Sequence, residues 1–167
     1  MSDKLEIAIK KGIKGELDSI VLYSNAAKHA PEGEVRQFFQ DRAEEEKKHY
    51  NFLIQYLDII DSAGKIDRNL SEELREADVV DSGIFSDTFL RKIGQDHILF
   101  SAISTAALLE KEALEHYLRC SKETENEYLQ TFYKHMAEWE EKHYDMLIRI
   151  AEEAEQYFWE LNRFEPF

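Results

Sequence analysis

The 167-residue sequence predicts an all-α fold, a four-helix bundle built from two related antiparallel hairpins joined by a long crossover. Three observations predict it. Charged residues make up 34% of the chain and apolar ones 43%, with six Gly and two Pro, a composition of long amphipathic helices rather than sheets. Apolar residues recur at spacings of three, four and seven along four segments. The two halves of the chain repeat each other at a fixed offset of 94 residues.

The elements follow in order. Ser2 or Asp3 can cap a first helix striped by Ile9, Ile13, Ile20, Tyr23 and Ala27, which APEG at 30–33 interrupts. A second helix carries Phe39, Ala43, Leu53, Leu57 and Ile60 until DSAG at 61–64, so the first hairpin spans 3–62. The crossover, 63–85, is rich in turn signals, with one short helix expected in SEELREA. Ser86 or Asp87 can start a third helix striped by Ile103, Ala107, Leu114 and Tyr117. After a polar turn around 121–126, a fourth helix runs through Tyr133, Ala137, Leu147 and Ala154, and the second hairpin spans 86–160. One domain, 1–167, is expected, with the aromatic tail YFWELNRFEPF at 157–167 packed over a bundle end or a second subunit.

Composition narrows the function. The single Cys120 excludes an internal disulfide and the paired cysteines of a zinc ribbon or rubredoxin-type iron centre, so a metal would be held by oxygen and nitrogen. A formal charge of −14 disfavours nucleic acid and anionic membrane as partners. No apolar run has the length of a membrane span or the form of a leader, and a cytoplasmic location is expected.

The repeat picks out a site. It pairs Glu16 with Glu110, Tyr23 with Tyr117, Phe38 with Phe132, Ala43 with Ala137, Glu46 with Glu140, His49 with His143 and Tyr50 with Tyr144. Glu16 and Glu46 lie equally far from the turn near residue 31, as Glu110 and Glu140 do from the turn near 125, which places all four at one height of the bundle. Glu46 shares a helix face with His49, and Glu140 with His143. All six stand within apolar stripes, where unpaired carboxylates would be costly through desolvation and mutual repulsion unless cations neutralise them. One Glu from each of two helices and a Glu-x-x-His from each of the others is a ligand set for two divalent ions, iron or manganese by preference, with zinc a redox-silent substitute.

Neighbouring residues are weighed in the same register. Glu44 and Glu45 adjoin Glu46, and Glu138 and Glu141 flank Glu140. The repeat selects the frame, because Glu45 pairs with Trp139 whereas Glu46 pairs with Glu140. Glu112 and Glu115 lie off the face of Glu110 and read as solvated or intersubunit charge. Tyr23 and Tyr117 are either core tyrosines with satisfied hydroxyls, the commoner case, or partners that hydrogen-bond a metal ligand or deliver an electron. His29, His97, His116 and His135 have no symmetric counterparts and read as ordinary histidines.

GELDSIVLY at 15–23, FFQDRAEEEKKHY at 38–50, LEKEALEHY at 109–117 and FYKHMAEWEEKHY at 132–144 resemble the rubrerythrin-type branch of the ferritin-like di-iron superfamily. The resemblance implies a ferritin-like bundle in which Glu16, Glu46, His49, Glu110, Glu140 and His143 bind two Fe ions and carry the chemistry through them, with Glu46 and Glu140 as bridges. It implies reduction of hydrogen peroxide, or oxidation of Fe(II) by oxygen or peroxide, and a homodimer. Rubrerythrins proper carry a four-cysteine rubredoxin domain; with one cysteine here, electrons are expected from a separate donor protein. Many relatives also have a glutamate three residues beyond the third-helix ligand, where this sequence has Ala113, a difference compatible with slower ferroxidase-like chemistry. A ferritin-like iron-handling protein and a non-redox, metal-stabilised interaction bundle are the alternatives.

Overall fold

A computed structural model describes residues 2–63 and 85–162 and, within them, the side chains of 5–57 and 85–162. The described residues form helices α1 (Ser2–His29), α2 (Glu34–Ala63), α3 (Asp87–Gln95), α4 (His97–Glu123) and α5 (Glu127–Asn162). The helix expected in SEELREA lies outside the described residues, and the capping side chains of Ser2 or Asp3 and the side chain of Ile60 lie outside the described side chains.

α1 and α2 form one antiparallel hairpin, turning at Gly33, whose φ of 115° suits a residue without a side chain. α4 and α5 form the other, where Asn126 caps α5 by accepting hydrogen bonds from the amides of Tyr128 at 3.0 Å and Leu129 at 3.2 Å. The hairpins meet closely along α1 and α4. Between α2 and α5, by contrast, no pair of Cα atoms comes within 8 Å among the described residues. Large side chains span that gap, including the stacked rings of Tyr56 and Phe132, 4.4 Å apart.

The predicted third helix is two helices. Asp96 leaves the helical conformation with φ −109° and ψ 110°. Its carboxylate accepts from the amides of Ile98 at 2.9 Å and Leu99 at 3.1 Å, capping α4, while its own amide closes α3 on the carbonyl of Ile93. The same carboxylate pairs with His29 Nε2 at 2.8 Å, tying the end of α1 to the break. Apolar periodicity runs through this point, but a carboxylate that satisfies two free amides outweighs one further helical turn. At the predicted start of the third helix the cap is Ser86, whose Oγ accepts from the Phe89 amide at 3.0 Å.

The buried apolar residues form two clusters. One holds Tyr23, Phe39, Ile93, Leu99, Ile103, Leu147 and Ile150, the other Ile9, Leu53, Tyr56, Tyr117, Phe132, Met136 and Trp139. Most of the stripe residues predicted from sequence are buried, with Ile13, Ile20, Leu57 and Leu114 half-buried at the margins. At the C-terminal end of α5, Tyr157 is buried and Phe158 stacks on Phe100 with centroids 5.0 Å apart, so this part of the aromatic tail packs on the bundle itself. Residues 163–167 lie outside the described residues.

α3 approaches α5 so closely that a Cβ on Gly94 would stand 2.2 Å from the Ala154 carbonyl oxygen and 2.8 Å from Tyr157 Cβ. Gly94→Ala gains up to about 1 kcal/mol of helix propensity. It also forces two backbones apart, at a cost of about 1–3 kcal/mol. The expected net result is a lower melting temperature, read by circular dichroism; an unchanged or higher one would show that α3 does not seat on α5 in this way.

Candidate metal centre

Glu16, Glu46, His49, Glu110, Glu140 and His143 are all buried, and Glu46 and Glu140 are 0% exposed. Glu16 comes from α1, Glu46 and His49 from α2, Glu110 from α4, and Glu140 and His143 from α5. Their side chains converge as two overlapping groups. Potential ligand atoms of Glu46, Glu110, Glu140 and His143 all lie within 4.8 Å of one another, as do those of Glu16, Glu46 and His49. Glu46 belongs to both groups, and Glu140 Oε1 reaches within 3.9 Å of His49 Nδ1. The six residues placed at one height by counting from the two turns thus lie together.

The donor atoms suit cations better than they suit each other. Both oxygens of Glu46, both of Glu140, and Nδ1 of His49 and His143 are buried without a hydrogen bond. They face one another at ion-pair distances: His49 Nδ1 is 3.2 Å from Glu46 Oε2 and 3.6 Å from Glu16 Oε2, and His143 Nδ1 is 3.3 Å from Glu46 Oε1. Buried polar groups left in this condition are destabilising unless something else satisfies them. Four carboxylates and two imidazoles fit a pair of divalent ions of the hard or intermediate kind.

One oxygen of each remaining carboxylate is anchored across the bundle. Tyr23 on α1 donates to Glu110 Oε1 on α4 at 2.7 Å, and Tyr117 on α4 donates to Glu16 Oε1 on α1 at 2.8 Å. Each tyrosine therefore orients the glutamate of the opposite hairpin, so a satisfied core hydroxyl and a bond to a site carboxylate are one and the same. Gly12 leaves the space for this: a Cβ there would lie 2.7 Å from the Tyr117 hydroxyl.

Two residues set aside in the sequence reading also touch the imidazoles. Glu45 Oε2 lies 3.3 Å from His143 Nε2, and the Trp139 ring stacks on His49 with centroids 4.5 Å apart and planes 6° from parallel. They are each other's partners in the repeat, and that mismatch was the available signal. Glu112 and Glu115 are exposed, His29 and His97 serve helix ends, and buried His116 bonds the Ala8 carbonyl oxygen at 2.9 Å.

With this geometry in place, comparison with known families is informative: residues 8–151 match the rubrerythrin family model, a ferritin-like di-iron family. The chain belongs to the rubrerythrin family. The match runs from the second turn of α1 to about two thirds of the way along α5, and so takes in all six of these residues. Neither curated proteins nor solved structures give a match. The all-α, ferritin-like bundle agrees with the family, and the buried Glu and His groups are of the kind that hold its iron. No helix of the described residues is long and apolar enough to cross a membrane.

Without metal, protons take the place of cations in this rubrerythrin-family site. Burial raises the Glu16 carboxyl to about 7 against the pull of His49. Burial together with Glu16, Glu110 and Glu46 holds Glu140 well above the carboxylate range, and burial and Glu46 raise Glu110. Burial alone would lower both imidazoles, but Glu46 and Glu16 carry His49 up to about 10, and Glu45 and Glu46 carry His143 to about 9. Burial would raise Glu46 as well, yet the two imidazoliums keep it well below the usual carboxylate range.

The sign of the pH dependence follows. A group whose pKa is higher in the folded than in the unfolded state stabilises the fold below its unfolded value and loses that contribution as pH rises through the folded one. Starting from ordinary values of 4.5 and 6.5, Glu16 loses its contribution by about 7, His143 by about 9 and His49 by about 10. Depressed Glu46 acts oppositely, and only in acid. The metal-free bundle is therefore expected to melt at progressively lower temperature between about pH 6 and pH 10. Stabilisation by added divalent metal should grow over the same window, because ligands must shed protons to bind. Thermal melts with chelator and with metal across this range check both slopes; parallel, pH-independent curves would remove these groups from the interior.

Proposed function

We propose that the protein is a di-iron oxidoreductase that reduces hydrogen peroxide or oxygen with electrons from an external donor. The observation that carries this reading is the set of six buried donor atoms, on Glu46, Glu140, His49 and His143, that point at one another without hydrogen bonds in a chain of the rubrerythrin family. Glu46, Glu110, Glu140 and His143 would hold one iron, Glu16, Glu46 and His49 the other, with Glu46 shared. When bound, two ferrous ions supply the two electrons that, with two protons, convert one peroxide to two waters.

The chain's own residues do the rest. The apolar clusters above and below the polar layer exclude water, which strengthens every charge interaction in it. The Tyr23 and Tyr117 hydroxyls hold Glu110 and Glu16 in place, so that the carboxylates need little rearrangement as charge changes between them. The 167 residues contain a single cysteine and no rubredoxin-type site, so electrons for repeated turnover come from outside them; reduced rubredoxin is the donor to assay.

Ala113 favours a second reading. It is half-buried, packed against the cluster around Tyr117, at the place where many relatives carry a further glutamate. A site without that carboxylate suits a single oxidation of Fe(II), the ferroxidase or iron-handling reaction, better than rapid cycling between oxidation states.

Stopped-flow mixing of the Fe(II)-loaded protein with peroxide and, separately, with oxygen tests both readings. Oxidation faster than that of free Fe(II) is expected, and His49→Ala or His143→Ala should slow it by at least about tenfold. Multiple turnovers with a reduced donor support the peroxidase reading, and a single fast oxidation without turnover supports the ferroxidase. An oxidation no faster than free Fe(II) would leave a non-redox, metal-stabilised bundle.

A further inference from the structure

The 94-residue repeat breaks one residue before each Glu-x-x-His, where Glu45 faces Trp139 in register, and again one turn earlier, where Arg42 faces Met136. Two of these four residues, Glu45 and Trp139, touch the imidazoles. On one side, His143 turns Nδ1 toward Glu46 at 3.3 Å and Nε2 toward Glu45 Oε2 at 3.3 Å. Arg42, three residues earlier on the same helix, donates from Nη2 to Glu45 Oε1 at 2.8 Å and holds Nη1 at ion-pair distance from Oε2, 2.7 Å. On the other side, His49 turns Nδ1 toward Glu46 at 3.2 Å, and the Trp139 ring lies flat against it at 4.5 Å, with fully buried Met136 behind in the apolar cluster.

The two supports differ in kind. A carboxylate accepting the far N–H of a ligating imidazole fixes its tautomer and makes the near nitrogen a stronger donor. A stacked indole fixes the plane of the ring by dispersion and leaves its basicity nearly unchanged. The Arg42 fork sets the direction of the Glu45 carboxylate, a task that a lysine's single charge does less well.

From this asymmetry we infer that the two metal positions are inequivalent, and that Glu45, oriented by Arg42, is a positioning residue that makes the His143 position the tighter and first filled. The His49 position, backed by Trp139, fills second. The inference rests on the reading of the six residues as the ligand set. It implies that partly loaded protein carries its ion at the His143 position and that the site can hold two different metals in a defined order.

Titration of the metal-free full chain with Co(II), followed by calorimetry and by the visible absorption of the bound ion, tests it. Two cations repel one another, so even a symmetric site fills in two steps, and the assignment is read from variants. Glu45→Gln, which keeps the shape and removes the charge, is expected to weaken the first step by about 10- to 100-fold and to shift the absorption of the first ion, leaving the second step within about twofold. Trp139→Phe should leave the first step unaltered. His49→Ala should retain the tight step and His143→Ala should lose it, a comparison that decides alone should Glu45→Gln fail to fold. Equal weakening of both steps by Glu45→Gln, no weakening at all, or loss of the tight step in His49→Ala would overturn the inequivalence. Wild-type protein that binds no Co(II) would instead overturn the ligand set itself.

Discussion

Mutual repulsion among buried carboxylates is the constraint on which this bundle depends. Glu16, Glu46, Glu110 and Glu140 meet in a layer closed to water, and only positive charge, whether protons or metal ions, makes that layer tolerable. The two imidazoles, the tyrosine hydroxyls and the wide separation of α2 from α5 all answer that requirement. A tightly packed apolar layer at the same height would stabilise the metal-free fold more and could do no chemistry.

The layer also organises the core around it. Apolar side chains gather into two clusters, one on each side of the polar groups, rather than into one continuous interior. The division follows from the helices: every one of the four long helices carries its charged residue in mid-stripe, so the stripes dock in register only when the charged positions coincide. A two-turn slip of α5 would bring the Glu140 carboxylate to the height of Leu53, within the apolar cluster, a heavy desolvation cost with no compensating partner. The site is expensive as a local feature and specific as a global one.

Much of this was legible in the sequence because two independent periodicities agreed. Helical spacing put Glu46 and His49 on one face, and the repeat put Glu140 and His143 opposite them, so geometry required nothing beyond counting residues from each turn. The break at Asp96 was not legible, since an aspartate in mid-stripe can sit on a helix or cap one, and what decides is the pairing with His29, distant in sequence. Glu45 was passed over for a related reason. Comparing the halves identifies what is shared between them, whereas Glu45 and Trp139 act where the halves differ. The direction of the tyrosine bonds was hidden too, because Tyr23 stands on the same helix as Glu16 yet serves Glu110.

Those crossed bonds bear on what the connection between the hairpins is for. Each hairpin lends its tyrosine to the other's glutamate, and each three- or four-residue group draws on both hairpins or shares Glu46 with one that does. A single hairpin is thus half of a mutual arrangement and would complete it only by finding a second copy. Covalent linkage turns that search into an intramolecular event, which raises the effective concentration of each half at the other without any new contact. It also relieves the two halves of having to be identical. Once tethered, one side can keep an arginine and a glutamate where the other adopts a methionine and a tryptophan, a division of labour closed to a symmetric pair.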